Sequence, residues 1–159
     1  MDVLDTHSGK SVVIVGLEDE EIIRGIEELE KITFKDAAVN RWILAPFIEF
    51  GRVYALVDEF GFVIGSCEIF RAWQAEEAHL FAISIHPDYQ SKGLGKFLLD
   101  VVLKDLKKWG VKRVKLTVSP KNDIAIKLYE SFGFEKEKFV ENLYGEGEDR
   151  WIMRLEMKD

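Results

Sequence analysis

The sequence predicts a mixed α/β domain, and two observations along its 159 residues support this class. The hydrophobic period changes between about 3.6 and 2 residues along the chain, so amphipathic helices and strands both occur. Three strands follow one another directly in the middle of the chain, so the pattern is not that of repeated βαβ units. The length and the 47% share of hydrophobic residues suit one domain, residues 1–159, with a single core.

The first fifty residues predict one strand and two helices. Residues 11–15 are apolar and β-branched and predict a strand. Over 18–34, isoleucine and leucine recur at helical spacing, with acidic residues toward the N-terminus, where the helix dipole favours them. Residues 40–50 predict a shorter helix that ends or kinks near Pro46, because proline lacks the backbone N–H.

The rest of the chain predicts six strands and two helices. Runs rich in valine, isoleucine, phenylalanine and tyrosine are typical of strands. In chain order these runs are 52–58, 62–70, 79–86, 111–118, 136–142 and 151–156. A long amphipathic helix over 93–109 ends at Gly110, and another begins at Asn122 or Asp123 and runs to Phe132. The predicted order is β-α-α-β-β-β-α-β-α-β-β.

The composition excludes several classes of protein. A net charge of −7 argues against a general affinity for nucleic-acid phosphates, which needs a basic surface. No apolar run approaches the roughly 20 residues of a membrane helix, and the N-terminus has no signal-peptide pattern. The single cysteine, Cys67, excludes an internal disulfide framework. We therefore expect a cytoplasmic protein without nucleic-acid or membrane partners, in which Cys67, Trp42, Trp73 and Trp109 are packing residues.

Residues 83–96 predict an anion-binding loop. A buried strand runs into a loop with two glycines, and the loop opens a long helix whose first N–H groups can bind a phosphate. Gly93 and Gly95 allow the backbone to approach the anion, and Lys92 and Lys96 add positive charge at the rim. No Gly-Lys-Ser/Thr follows, so the loop is not a Walker loop, and it lacks the third glycine of a dinucleotide fingerprint.

The sequence Gln90-x-x-Gly93-x-Gly95 after His86-Pro87 resembles the pyrophosphate-binding motif of the GNAT superfamily of acetyl-CoA-dependent N-acetyltransferases. Residues 122–134 resemble a second motif of that superfamily, N-x-x-A-x-x-L-Y-E-x-x-G-F. The resemblance implies the GNAT fold, an α+β arrangement with a central mixed, mostly antiparallel sheet of about seven strands flanked by helices. Within the superfamily, residues 83–99 and 128–134 are most similar to ribosomal-protein N-terminal alanine acetyltransferases.

By this resemblance the cofactor is acetyl-CoA, held by the strand end, the loop, the start of the later helix and one tyrosine. The implied residues are Ile83, Ser84, Ile85, Gln90, Ser91, Lys92, Gly93, Leu94, Gly95, Lys96, Asn122 and Tyr129. A main-chain N–H, that of Ile85, would polarise the thioester carbonyl, and Tyr129 would protonate the leaving thiolate. Asn122 could equally be a plain helix N-cap, and Tyr129 a core tyrosine.

The general base stays open. The alanine acetyltransferases carry a glutamate where this chain has Thr117, and a threonine cannot act as a base at neutral pH. His79 stands where the histone-type members have a glutamate, and an edge-strand histidine facing solvent is the alternative. Glu68 could act through water, or be an ordinary solvated glutamate on a half-exposed strand. Residues 141–144 resemble the substrate loop of the alanine acetyltransferases, which makes Tyr144 a candidate substrate-binding residue. The acidic connection that contains it, 141–149, could cover the acceptor or be a solvated hairpin loop.

The expected function is direct transfer of an acetyl group from acetyl-CoA to a primary amine in a ternary complex. The leading acceptor is a protein or peptide N-terminal α-amine. The alternatives are a small cationic amine such as a polyamine, and a non-catalytic acetyl-CoA-binding module, which the missing glutamate suggests. No cluster of His, Asp and Glu has metal-ligand spacing, so no metal is expected. The chain is expected to be a monomer or a homodimer.

Overall fold

The computed structural model describes residues 2–158, which form eight strands and four α-helices. The strands are β1 (Asp2–His7), β2 (Lys10–Ile14), β3 (Arg52–Val57), β4 (Val63–Arg71), β5 (Glu77–Ile85), β6 (Arg113–Val118), β7 (Glu135–Val140) and β8 (Arg150–Glu156). The helices are α1 (Glu20–Phe34), α2 (Arg41–Phe50), α3 (Leu94–Lys108) and α4 (Asp123–Ser131). Short 3-10 turns occupy Lys35–Ala37 and Pro87–Tyr89.

The predicted order of elements is confirmed from the second strand onward, and β1 is an addition at the N-terminus. It pairs antiparallel with β2 through a two-residue turn, Ser8-Gly9. Both turn residues have positive φ, +51° and +78°, which is the backbone that matches the twist of a hairpin. The side chains of Thr6 and Ser11 hydrogen-bond across the pair at 2.9 Å. The chain therefore has one strand more than the seven expected.

The strands form one sheet in the order β1-β2-β3-β4-β5-β6-β8-β7. β5 pairs parallel with β6, whereas β1–β2, β2–β3, β3–β4, β6–β8 and β7–β8 are antiparallel pairs. A mixed, mostly antiparallel sheet was predicted, and the structure confirms it. The described chain falls into two compact units, residues 2–70 with 82–105 and residues 71–81 with 106–158. A single domain over 1–159 stays a prediction.

In the first unit, α1 and α2 cover one face of β2 and β3. The buried cluster there consists of Val13, Val15, Ile22, Ile23, Ile26, Leu44, Val53, Ala55 and Val57. A separate buried contact joins β3 to α3: the Tyr54 hydroxyl donates to Asp105 Oδ2 at 2.6 Å. Arg52 pairs with the same carboxylate at 3.3 Å. These contacts hold the C-terminal end of α3 against β3.

In the second unit, α4 follows β6 and packs through Ile126 and Tyr129, both buried. Gly133 follows α4 with φ +98°, the backbone conformation that commonly ends a helix. β6 buries alternate residues, Val114, Leu116 and Val118, which is the period of a half-covered strand. Among residues 2–158, no helix is both long enough and apolar enough to cross a membrane.

Candidate active site

The loop between β5 and α3 is tied to the end of β5 by two side chains. His86 Nδ1 accepts a hydrogen bond from the Asp88 N–H at 3.1 Å and caps the short turn that follows. Gln90 Nε2 donates to the Ile85 carbonyl at 3.0 Å, so it holds the loop against the strand. His86 and Gln90, which the sequence analysis identified only as parts of a motif, therefore stabilise the conformation of the loop.

The same loop is open to solvent where it meets α3. Gly93 has φ +77°, and a Cβ built there would meet no atom within 4 Å. Glycine is therefore favoured at position 93 by the positive φ, and not by a lack of space for a side chain. The first bond of α3 runs from the Phe97 N–H to the Gly93 carbonyl at 3.0 Å, so the N–H groups before Phe97 point out of the helix end. Gln90, Ser91, Lys92, Gly93 and Lys96 are exposed around this end. Such an arrangement can bind an anion.

The strand end that was predicted to hold the pantetheine arm lies close to β4. The His86 N–H donates to the Ile64 carbonyl at 2.8 Å, and the hydroxyls of Ser84 and Ser66 are 3.4 Å apart. A Cβ on Gly65 would come within 3.1 Å of the Ser84 carbonyl oxygen, so glycine permits this close approach. Ser84 is buried, and Ile83 and Ile85 are partly buried.

Glu68, one of the base candidates, is only 1% exposed, which corrects the expectation of a half-exposed, solvated side chain. Among residues 2–158, neither oxygen of its carboxyl group has a hydrogen-bond partner. Burial raises the pKa of Glu68 well above its ordinary value, and the nearby charge of Glu30 raises it further. The carboxyl oxygens are shielded from solvent in this structure. A role for Glu68 as a base acting through water stays a prediction.

Glu30, on α1, is equally buried, and burial raises its pKa as well. Its Oε1 accepts a hydrogen bond from the Val39 N–H at 3.0 Å, which lowers that pKa in part. Thus one carboxyl anchors the connection between α1 and α2, while the second lies near it on β4. Sequence reasoning missed Glu30, because an acidic residue on an acid-rich helix gave no sign of burial.

Asn122 and Tyr129 belong to the second unit. Asn122 Oδ1 accepts from the Ala125 N–H at 3.1 Å, so the N-cap alternative is confirmed, and the cap leaves the amide Nδ2 available as a donor. Tyr129 is buried on α4, with its ring 5.7 Å from that of Phe134. A packing role for Tyr129 is therefore present, and a chemical role stays a prediction.

Thr117 and Tyr144 are brought together, a contact that the sequence did not predict. The Thr117 and Tyr144 hydroxyl oxygens are 2.8 Å apart, and the Arg150 guanidinium lies 5.2 Å from the centre of the Tyr144 ring. The acidic connection has internal order: Asn142 Oδ1 accepts from the Gly147 N–H at 2.8 Å, and the Asn142 N–H donates to Asp149 Oδ1 at 2.9 Å. The position where related enzymes were expected to have a glutamate therefore meets the predicted substrate-binding tyrosine.

His79 lies on β5, paired in register with Lys115 of β6, and is partly buried. Burial lowers its pKa, and the charge of Glu77 opposes that shift in part. The neutral imidazole, which can accept a proton, is therefore the form present at neutral pH.

The predicted residues divide between the two units. The loop, the strand end and Glu68 lie in the first, whereas His79, Thr117, Asn122, Tyr129 and Tyr144 lie in the second. Within the part of the chain that the structure describes, no group of three or more His, Cys, Asp or Glu side chains is placed to hold a metal ion.

Comparison with known proteins supports the predicted family and the predicted fold. A family model described as the acetyltransferase (GNAT) family matches residues 13–134. The ribosomal protein bS18-alanine N-acetyltransferase of Escherichia coli strain K12 is 45% identical over 69 residues, which are 43% of this chain and 47% of that protein. An N-alpha-acetyltransferase of Saccharolobus solfataricus is 32% identical over 78 residues, 48% of this chain and 47% of that protein. The chain thus spans about half the length of the curated relatives it matches.

Solved structures are similar over nearly the whole chain. The ribosomal-protein-S18-alanine N-acetyltransferase from Escherichia coli has a TM-score of 0.78 and 29% identity, covering 93% of this chain and 95% of that one. Arabidopsis thaliana Naa50, solved with a bisubstrate analogue, has a TM-score of 0.76 over 92% of this chain and 99% of that one. Its identity of 22% supports likeness of fold alone. On the match over residues 13–134, this chain belongs to the acetyltransferase (GNAT) family.

Proposed function

We propose that the chain is an N-acetyltransferase that moves an acetyl group from acetyl-CoA directly to the N-terminal α-amine of a protein or peptide. The observation that carries the proposal is the open loop at the start of α3, with exposed lysines at its rim, in a member of this family. The acceptor class is supported by relatives whose names give ribosomal-protein alanine or α-amino acetylation. We place the reaction in the cytoplasm.

In this proposal the loop binds the pyrophosphate of acetyl-CoA. The N-terminal N–H groups of α3 and the positive end of the helix dipole favour a negatively charged group there. Lys92 and Lys96 are exposed and supply positive charge at the rim, and Gly93 supplies the required positive-φ backbone. The backbone of Ile83, Ser84 and Ile85 holds the pantetheine arm, and Asn122 contributes its amide.

The transfer needs an amine without its extra proton, a polarised thioester and a proton for the leaving sulfur. His79 takes a proton from the acceptor, supported by its lowered pKa. The amine nitrogen then forms a bond to the acetyl carbon while the Ile85 N–H stabilises the carbonyl oxygen, and the carbon–sulfur bond breaks. Tyr129 gives its proton to the thiolate, and the second proton that the nitrogen loses as the amide forms returns the tyrosinate to its neutral form. Glu68, acting through water, is the weaker candidate base, because its carboxyl group is buried away from solvent and burial raises its pKa.

Two alternative functions each have an observation in their favour. The acidic residues of the ordered connection 141–149 favour a small polycation as a second candidate acceptor. Thr117 stands where the alanine acetyltransferases are expected to have a glutamate, and the lack of a carboxylate there favours an acetyl-CoA-binding module without turnover.

The test follows CoA release from acetyl-CoA with three acceptor pools: alanine-initiated peptides with a free N-terminus, the same peptides with a blocked N-terminus, and a polyamine. Turnover with the free peptides alone supports the proposal. Turnover with the polyamine alone overturns the peptide assignment in favour of the small amine. Binding of acetyl-CoA without CoA release in any of the three pools supports the acetyl-CoA-binding module without turnover.

A further inference from the structure

Helix α2 leaves most of its apolar surface uncovered. Its sequence, Arg-Trp-Ile-Leu-Ala-Pro-Phe-Ile-Glu-Phe, has only two charged residues. Leu44 is buried in the core, yet Trp42 is 88% exposed and Phe50 is 84% exposed, with Ile43 at 45%. Trp42 was expected to be a packing residue, and the structure shows that expectation to be wrong for the isolated chain. Burying large aromatic side chains is worth several kcal/mol, so an exposed pair of them on one helix needs a reason.

The exposed positions form one continuous stripe. Trp42, Pro46 and Phe50 are four residues apart, and Ile43 and Glu49 flank them on the same face of the helix. Spacing of i, i+4 and i+8 is the ridge that packs into the grooves of another helix. The opposite face, with Leu44, is the one that packs on β3. α2 therefore has two apolar faces, and the core uses one.

The two charges on α2 are placed against its own dipole. Arg41 is at the N-terminal end and Glu49 is in the last turn, whereas the dipole favours the opposite arrangement. Arg41 is balanced inside the chain by Glu27, at 2.8 Å, and Glu20, at 3.1 Å. Glu49 is exposed, and it forms no ion pair with any of residues 2–158. A second α2 running antiparallel would set Glu49 beside a positive helix end and beside Arg41 of that copy.

We propose that the exposed stripe of α2 pairs with the same stripe of a second copy of this chain, antiparallel about a two-fold axis at Pro46. In this register Trp42 of each copy packs on Phe50 of the other, because the two lie four residues on either side of Pro46. Glu49 and Arg41 of opposite copies lie on the same flank. The stripe is thus complementary to itself in shape, in apolarity and in charge, which is what a two-fold interface requires.

The area that the stripe can bury is small for an interface between two proteins. Aromatic side chains bury about 150–250 Å² each, so Trp42 and Phe50 with Ile43 and Pro46 supply about 500 Å² from each copy. The total of about 1,000 Å² is near the lower limit for a specific interface, so we expect a weak dimer. The inference does not depend on the proposed enzymatic function.

The first test is sedimentation velocity of the full chain from about 1 to about 200 µM, a range that spans a micromolar dissociation constant. The wild type is expected to shift from monomer to dimer, and Trp42→Glu and Phe50→Glu are each expected to stay monomeric. Phe60→Glu is the matched control, because Phe60 is 80% exposed but lies in the turn between β3 and β4. A wild type that is monomeric throughout, or a dimer that both α2 variants leave intact, overturns the proposal.

The second test fixes the register. Packed helices lie 8–10 Å apart, and the Cα atoms of each helix lie about 2.3 Å from its axis, so two copies of residue 46 facing each other at the two-fold axis would have Cα atoms about 3.4–5.4 Å apart. The upper part of this range suits a disulfide, whose Cα atoms are usually about 4.4–6.8 Å apart. Pro46→Cys is expected to form a covalent dimer under mild oxidation, and Phe60→Cys is not. The native Cys67 is fully buried and does not compete. Equal cross-linking of the two variants, or none from Pro46→Cys, overturns the register.

Discussion

Replacing Glu68 by glutamine is expected to stabilise the protein at alkaline pH and to leave it nearly unchanged at acidic pH. The Glu68 carboxyl is 1% exposed without a hydrogen-bond partner among the described residues, and the charge of Glu30 lies near it. Its pKa in the folded chain is raised above the ordinary 4.5. The folded chain therefore holds a proton that the unfolded chain releases above pH 4.5, so stability falls as pH rises through the window between the two pKa values.

The size of the effect follows from proton linkage. One proton held by the folded chain and absent from the unfolded chain costs about 1.4 kcal/mol for each pH unit. Between pH 5 and pH 8 the limit is therefore about 4 kcal/mol, and relaxation and water entry reduce the expected value to about 2 kcal/mol. Glutamine has nearly the same shape and never ionises. At pH 8 the variant should therefore gain about 2 kcal/mol, or about 4–8 °C in Tm.

The assay is urea unfolding of wild type and Glu68→Gln at pH 5, 7 and 8, with Glu21→Gln as the control. Glu21 is an exposed glutamate on α1, and its replacement is expected to leave the pH dependence unchanged. The difference between wild type and Glu68→Gln should widen as pH rises. Parallel stability curves for the two proteins would refute the reasoning, because they would mean that the folded chain does not hold the extra proton.

Three further predictions concern the candidate site. Gly93→Val is expected to weaken acetyl-CoA binding at least tenfold in calorimetry, whereas Gly61→Val should not, although both glycines have positive φ and open space at Cβ; equal losses would remove the loop from the site. Tyr129→Phe is expected to lower kcat by about 10²–10⁴-fold with acetyl-CoA affinity within about twofold, and an unchanged kcat would exclude the acid role. His79→Gln is expected to abolish the acid limb of the pH–rate profile, a limb that lies below the ordinary histidine pKa because burial lowers the pKa of His79; an unaltered profile would point to another base.

The elements with strong local signals were predictable from sequence. The loop before α3 and the helix at Asn122 carry glycine and capping residues whose backbone demands are local, and the structure places both elements as expected. β1 was missed because its residues, Asp-Val-Leu-Asp-Thr-His, do not alternate, and its pairing with β2 depends on the positive-φ turn. Short edge strands take their stability from the neighbour and give little signal of their own.

Burial was the part that sequence could not supply. Glu68 lies between Cys67 and Ile69 in a strand that α1 covers, and only the tertiary packing shows that its face is closed. Trp73 and Trp109 gave the opposite error, since both are exposed where packing was expected. The Thr117–Tyr144 contact joins residues 27 apart in sequence, with α4, β7 and part of an irregular connection between them. Such pairings depend on strand register, which residue type does not reveal.

Cys67 gives the first unit a reporter of its own opening. The chain has one thiol, fully buried on β4 opposite Tyr54 of β3, and burial raises its pKa. A reagent that reacts with thiolates can therefore label Cys67 in the native protein only when a transient opening exposes β4 to solvent. The labelling rate, read with and without a ligand at the α3 loop, would convert ligand binding into a local protection factor for the strand.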